Sequence, residues 1–157
     1  MKLNRMIQMT IEVEIQKLTS ITTVPPESKF RQWATAALRD LDEAELLIRI
    51  VDTQESRELN ARFRNREQAT NVLSFPADLP EEVDLPLLGD VIICAPLVER
   101  EAEQQGKVPL SHWAHLTIHG ILHLLGYDHQ TEDEAASMEA LEISLLQSLD
   151  FPDPYHC

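Results

Sequence analysis

Cysteine is scarce in this sequence: Cys94 sits in an apolar run, Cys157 lies far from it, and there are no others. Two such residues make no disulfide framework and match no C-x-x-C site, so a reducing cytoplasm is the expected compartment. Met1 to Thr10 intersperses Lys2, Asn4, Arg5 and Gln8 among its apolar residues, whereas a secretory leader needs an unbroken apolar centre. No apolar run approaches the ~20 residues of a membrane span, and no membrane partner is expected. Positive charge is also short. Thirteen Lys and Arg stand against 27 Asp and Glu, a formal net charge of -14. A surface of that sign repels nucleic acid as a whole, so DNA is not an expected partner and any polyanion must meet a local basic patch. No repeat or low-complexity segment interrupts the chain.

What is present suits one globular domain over residues 1–157, with 43% hydrophobic residues and enough length for a real core. Met9 to Leu18 alternates, with Ile11, Val13 and Ile15 opposite Glu12, Glu14 and Gln16, and predicts a half-exposed strand. After Pro25-Pro26, Phe30, Trp33, Ala34, Ala37 and Leu38 recur at helical spacing and predict a core-facing helix. Leu46 to Val51 predicts a second strand. Asp52 with Glu55 predicts a capped helix that buries Leu59 and Phe63. Thr70 to Phe75 is a strand stopped by Pro76, and Asp78 to Pro86 an exposed acidic loop. Leu87 to Cys94 is a strand in which Gly89-Asp90 predicts a bulge or a close backbone approach. Pro96 and Gly106 bracket a further helix, and Pro109 opens the next. Thr131 to Glu134 is a capping box leading into Met138, Leu141, Leu145 and Leu149 at helical spacing, and Pro152 to Cys157 reads as an unstructured tail. The sum is an α+β fold: a mixed sheet of roughly four strands covered by about five helices, the last packed across the one before it.

Chemistry concentrates in His119-Gly120-Ile121-Leu122-His123-Leu124-Leu125-Gly126-Tyr127-Asp128-His129. On a helix, His119 and His123 are an i, i+4 pair with Cβ atoms roughly 6 Å apart on one face, able to close on one ion. Gly126 can end that helix in a left-handed conformation and turn His129 back toward the same point. Three neutral imidazoles leave a tetrahedral zinc one open position, the arrangement of a catalytic site. His112 and His115 precede the motif. His115 lies eight residues before His123, about 12 Å along a helix, while nitrogens on one zinc lie within about 4 Å of each other. His112 and His115 are therefore packing residues or supports for ligands. The spacing matches the metzincin pattern H-E-x-x-H-x-x-G-x-x-H. Gly120 stands at the glutamate, however, and glycine cannot take a proton from water, which argues against a peptidase.

Arg57, Arg62, Arg64 and Arg66 crowd four of the thirteen basic residues into ten positions. They are either a solvated helix end, where cations oppose the dipole, or a phosphate clamp for which the guanidinium fork is well shaped.

The histidine motif, together with Phe63-Arg64, with Thr70-Asn71-Val72-Leu73-Ser74-Phe75-Pro76 and with Leu88-Gly89-Asp90-Val91-Ile92-Ile93-Cys94, resembles the YbeY family of bacterial zinc-dependent endoribonucleases that mature ribosomal RNA. The similarity runs from the first strand to Asp153-Pro154-Tyr155. It implies a zincin-like α+β fold, one Zn2+ on His119, His123 and His129, and a functional arginine at Arg64. It also implies single-stranded RNA as substrate, with the 16S ribosomal RNA precursor processed at its 3′ end, and work with the small ribosomal subunit in its maturation and quality control. Arg64 would neutralise charge growing on phosphoryl oxygens. Asp128 is the nearest carboxylate, placed to act as base or, beside His129, to orient a ligand ring. Ser74 either hydrogen-bonds substrate or faces the sheet. Ala69 stands where a proline often precedes Thr-Asn-Val, and Phe63 where tyrosine is common. The other classes are a non-catalytic, zinc-stabilised ribosome assembly factor and a zinc hydrolase of smaller phosphoesters or amides.

Overall fold

A computed structural model describes residues 10–80, 82, 83 and 85–155. The expectations for Met1 to Met9 and for Cys157 lie outside the described residues. The elements in order are β1 (Thr10–Leu18), α1 (Glu27–Ala37), β2 (Glu43–Val51), α2 (Thr53–Arg64), β3 (Val72–Pro76), β4 (Leu87–Cys94), α3 (Ala95–Gln105), α4 (Pro109–Leu124) and α5 (Glu132–Ser148). The sheet runs β1-β2-β4-β3, parallel except for β3, which pairs antiparallel with β4. The described residues thus form the mixed four-stranded α+β architecture that the residue pattern predicts.

Alternation along the strands builds two apolar layers. Ala44, Leu46, Ile48 and Ile50 of β2 and Val91 and Ile93 of β4 face a large core shared with α1, α3, α4 and α5. On the opposite face Val51, Leu73 and Ile92 form a smaller cluster under Leu59 of α2 and Phe75. Aromatic side chains bind α1 into the larger core: Phe30 meets Trp33 at 5.2 Å and Trp113 at 5.8 Å between centroids, both edge to face. The Trp113 indole N–H donates to Glu99 at 2.7 Å, which satisfies the polar atom of a buried ring.

Helix α4 is buried along most of its length, from His112 to Ile118 and again at Gly120, Ile121, Leu122 and Leu124. It lies against β3 and β4 on one side and α5 on another. Gly120 permits that approach: a Cβ there would stand 2.7 Å from Val91 Cγ1 and 3.1 Å from Val72 Cγ2. Gly89 takes φ 138° at the register shift between β2 and β4, and a Cβ there would fall 2.2 Å from the Phe75 carbonyl. This is the close approach foreseen for that position. The capping box at Thr131 and Glu134 is formed, and its hydrogen bonds start α5.

Three local expectations need correction. Asp52 does precede α2, but its side chain does not cap the helix, because its carboxylate takes the Thr19 hydroxyl and the Ser20 amide instead. Glu55 pairs with Arg49 at 2.7 Å. Phe63 is 54% exposed, since α2 turns its small polar residues Ser56 and Asn60 inward, where they tie down the 68–70 loop. The segment after Pro152 is not a free tail as far as Tyr155, whose hydroxyl donates to Glu142.

Candidate metal centre

The helical spacing of His119 and His123 puts their Nε2 atoms 3.2 Å apart. The turn at Gly126, with φ 102°, then brings His129 back, its ring centroid 5.1 Å from that of His123 and 5.8 Å from that of His119. One ring nitrogen from each lies within 4.8 Å of the others, so the three can hold one metal ion. Nitrogens bound to a tetrahedral ion at ~2.1 Å stand about 3.4 Å apart, close to the separation of the helical pair. The turn is fastened by the Tyr127 and Gly126 amides, which donate to the carbonyls of Leu122 and His123 at 3.0 Å.

The support for this triad comes from α5. Glu142 is wholly buried, and its Oε2 lies 2.5 Å from His119 Nδ1. Burial alone would raise its pKa, but hydrogen bonds from His115, His119 and Tyr155 outweigh it and bring the carboxyl down to about 2. An ionised Glu142 can only accept, so the proton of His119 sits on Nδ1 and the lone pair of Nε2 faces His123. His115 Nε2 lies 3.1 Å from Glu142 Oε1 and 3.2 Å from the Tyr155 oxygen. Burial, and then the carboxylate beside it, pushes the Tyr155 phenol far up, so it stays a donor. Burial, with His119 and His129 nearby, lowers the pKa of His123 and favours the neutral ring a metal needs. His112 belongs elsewhere: its Nε2 meets Glu101 at 2.9 Å, and Glu101 also accepts from the Asn71 amide at 3.1 Å.

His115, His119 and Glu142 also form a compact group of potential ligands. Its atoms are committed to one another by hydrogen bonds, and it is the outer support of the three-histidine site and not a second centre.

The histidines open on a cleft of about 500 Å3 that Arg64, Val72, Ser74, Asp128 and Gln130 also line. Arg64, the last residue of α2, reaches around the edge of the sheet and donates from Nη2 to the Ser74 carbonyl at 2.8 Å, its guanidinium 5.4 Å from the Phe75 ring centroid. That carbonyl points away from the sheet. Asn71 with Cys94 and Ala77 with Leu88 bond across the β3–β4 ladder, and alternation leaves Ser74 facing outward. Arg57, Arg62 and Arg66 do not line this cleft. The Ser74 hydroxyl donates to the Gly120 carbonyl at 2.8 Å, tying β3 to α4. Asp128 lines the cleft, and its Oδ1 accepts the His129 amide at 2.7 Å, so it steadies the chain at His129. Glu142, which sequence reasoning missed, orients the ring of His119. A charged residue one turn from Met138 on the apolar face of α5 was the available signal. Tyr155 had none, because its partner is revealed only by the way the chain closes.

Three imidazoles, one held neutral by burial and one fixed by a buried carboxylate, suit a borderline ion such as zinc and suit poorly a hard ion that prefers oxygen.

A family model described as Endoribonuclease YbeY matches residues 10–150. The chain is 54% identical over 146 residues to the Endoribonuclease YbeY of Cellvibrio japonicus, covering 92% of this chain and 82% of that one. It is 56% identical over 147 residues to the Endoribonuclease YbeY of Pseudomonas fluorescens, covering 92% and 96%. The solution structure of TM1509 from Thermotoga maritima matches the fold with a TM-score of 0.57 at 22% identity, over 91% of this chain and 99% of that one.

Proposed function

This chain belongs to the YbeY endoribonuclease family, and from that premise we propose that it is a zinc-dependent, single-strand-specific endoribonuclease, one metal-hydrolase domain over residues 1–157, working in the cytoplasm. The enzyme hydrolyses RNA phosphodiester bonds. His119, His123 and His129 hold the ion, which supplies Lewis-acid stabilisation of a phosphoryl oxygen and an acidified water when bound. The chain's own residues do the rest. Glu142 keeps the proton of His119 on Nδ1. Arg64 presents a guanidinium at the rim of the same cleft, where it neutralises charge growing on the phosphoryl oxygens. Asp128, the carboxylate lining that cleft, is the base, and Ser74 sets the position of β3 against α4 beside the substrate. The RNA is the 16S ribosomal RNA precursor near its 3′ end, met on the small ribosomal subunit.

The observation that carries this reading is a guanidinium and three convergent imidazoles in one cleft. Two features oppose a peptidase. Gly120, at the position of the proteolytic base, is packed on Val91 with no room for a side chain. Arg64 also occupies an outward carbonyl of edge strand β3, which an extended peptide would need for strand pairing. Purified, zinc-verified protein should cleave single-stranded RNA slowly, act little on duplex, and leave casein-like peptides intact. His123→Ala should lose most bound zinc and the cleavage with it. Robust peptide hydrolysis abolished in His123→Ala would overturn the reading, as would full zinc content in that variant.

A further inference from the structure

Phe63 presents 54% of its surface to solvent. It is not loose: its ring meets Phe75 at 5.2 Å between centroids, edge to face, and the Arg62 guanidinium lies 5.9 Å from its centroid. It directly precedes Arg64, and Phe75 lies in β3 between Ser74 and Pro76, which line the metal cleft. Leu73 and Phe75 face α2 while Ser74 faces α4, so Phe63 and Phe75 sit just across the edge strand from the histidines. Of the four clustered arginines, Arg62 lies over this ring and Arg64 over the neighbouring Phe75, in a chain of net charge -14. An exposed aromatic, braced by a second ring and flanked by guanidinium groups, is the combination that receives an unpaired nucleobase. The π face accepts any base, and the cations hold the adjoining phosphates.

We propose that Phe63, with Arg62 and Phe75 as its supports, is a base-stacking subsite for the nucleotide next to the one cleaved, and that it sets the preference for single strands. This rests on the reading of the cleft as a nuclease site. With the phosphate at Arg64 on one side of β3, the neighbouring nucleotide must pass around the sheet edge to reach Phe63. An unstacked base can make that turn, whereas a base held in a duplex cannot leave its stack without an energetic cost.

The test uses full-length, zinc-loaded protein and single-stranded RNA oligonucleotides in which one abasic ribose is walked through the positions flanking the cleavage point. Wild-type enzyme should show about a tenfold rise in KM at one flanking position. Phe63→Ala should raise KM on intact RNA by about the same factor, with a smaller change in kcat, and should no longer respond to the abasic ribose there, because the two changes remove the same contact. Phe63→Trp should restore tight binding and Phe63→Leu should not. Zinc content and Tm should stay near wild type in all three, since the ring is largely outside the core. Wild-type behaviour of Phe63→Leu or unchanged KM in Phe63→Ala would overturn the subsite and leave the surface to a protein partner. Fully additive effects of variant and abasic ribose would overturn it as well. Zinc-loaded wild type that leaves every RNA intact would instead overturn the nuclease reading beneath it.

Discussion

Glu142 shows how far one buried carboxylate reaches. It receives His119, His115 and Tyr155 together, and only the first of these is a proposed metal ligand. Glu142→Gln removes the charge but keeps the shape. Zinc affinity measured by competition with a chelator should fall by roughly 10- to 100-fold, with one equivalent still bound at saturation. His115→Ala should leave the stoichiometry intact, because His115 touches the carboxylate and not the ion's position. Arg64 is a different case, being exposed and anchored among the described residues by the Ser74 carbonyl and the Phe75 ring. Arg64→Glu should cut RNA cleavage by about 10²-fold or more if it serves the transition state, with zinc content and circular dichroism unchanged. Arg57→Glu, on the same helix but away from the cleft, should matter much less. Equal losses from the two would replace a specific clamp with diffuse attraction.

Helix α4 carries two histidines toward the cleft and at the same time packs on the sheet, and Gly120 is where those demands meet. Alanine would favour the helix by about 1 kcal/mol over glycine. The new methyl would press on Val91, which is fully buried, and on Val72, an overpacking that costs about 1–3 kcal/mol. The clash wins, so Gly120→Ala should lower the unfolding free energy measured in urea. Stabilisation would show that α4 can lift from β3. At the start of α5, Thr131→Ala removes the hydroxyl that accepts the Glu134 amide but keeps the backbone N–H that donates to the Glu134 carboxylate, and should cost about 1 kcal/mol, with zinc stoichiometry unchanged because Glu142 lies three turns further on.

Across the whole molecule the net charge of -14 repels RNA at long range, so on the proposed function binding would depend on short contacts around Arg64 and the metal. Intrinsic affinity for short RNA should be weak. Added salt should screen the repulsion as well as the contacts, so the loss of affinity with log salt should be shallower than for a basic nuclease; a steep slope in a binding titration would contradict this. On the proposed function, targeting would then fall to the ribosomal subunit. Among the described residues no helix is long and apolar enough to cross a membrane.

The sequence by itself determined what depends on near neighbours. The i, i+4 histidines, the left-handed turn at Gly126, the capping box at Thr131 and the apolar faces of α1 and β2 all follow from periods of 3.6 and 2 or from local φ preferences, and each is present. Only the tertiary structure decided the partners that meet across the fold. Asp52 abandoned its cap for Thr19 and Ser20, thirty-odd residues away in the chain, because β1 ends beside α2. Phe63 stayed outside because Ser56 and Asn60 were needed inward to hold the loop before β3. Glu142 and Tyr155 reached the histidines through the packing of α5 on α4. A buried polar group takes whichever partner closure of the chain brings within 3 Å or so, and no local pattern encodes which one that is.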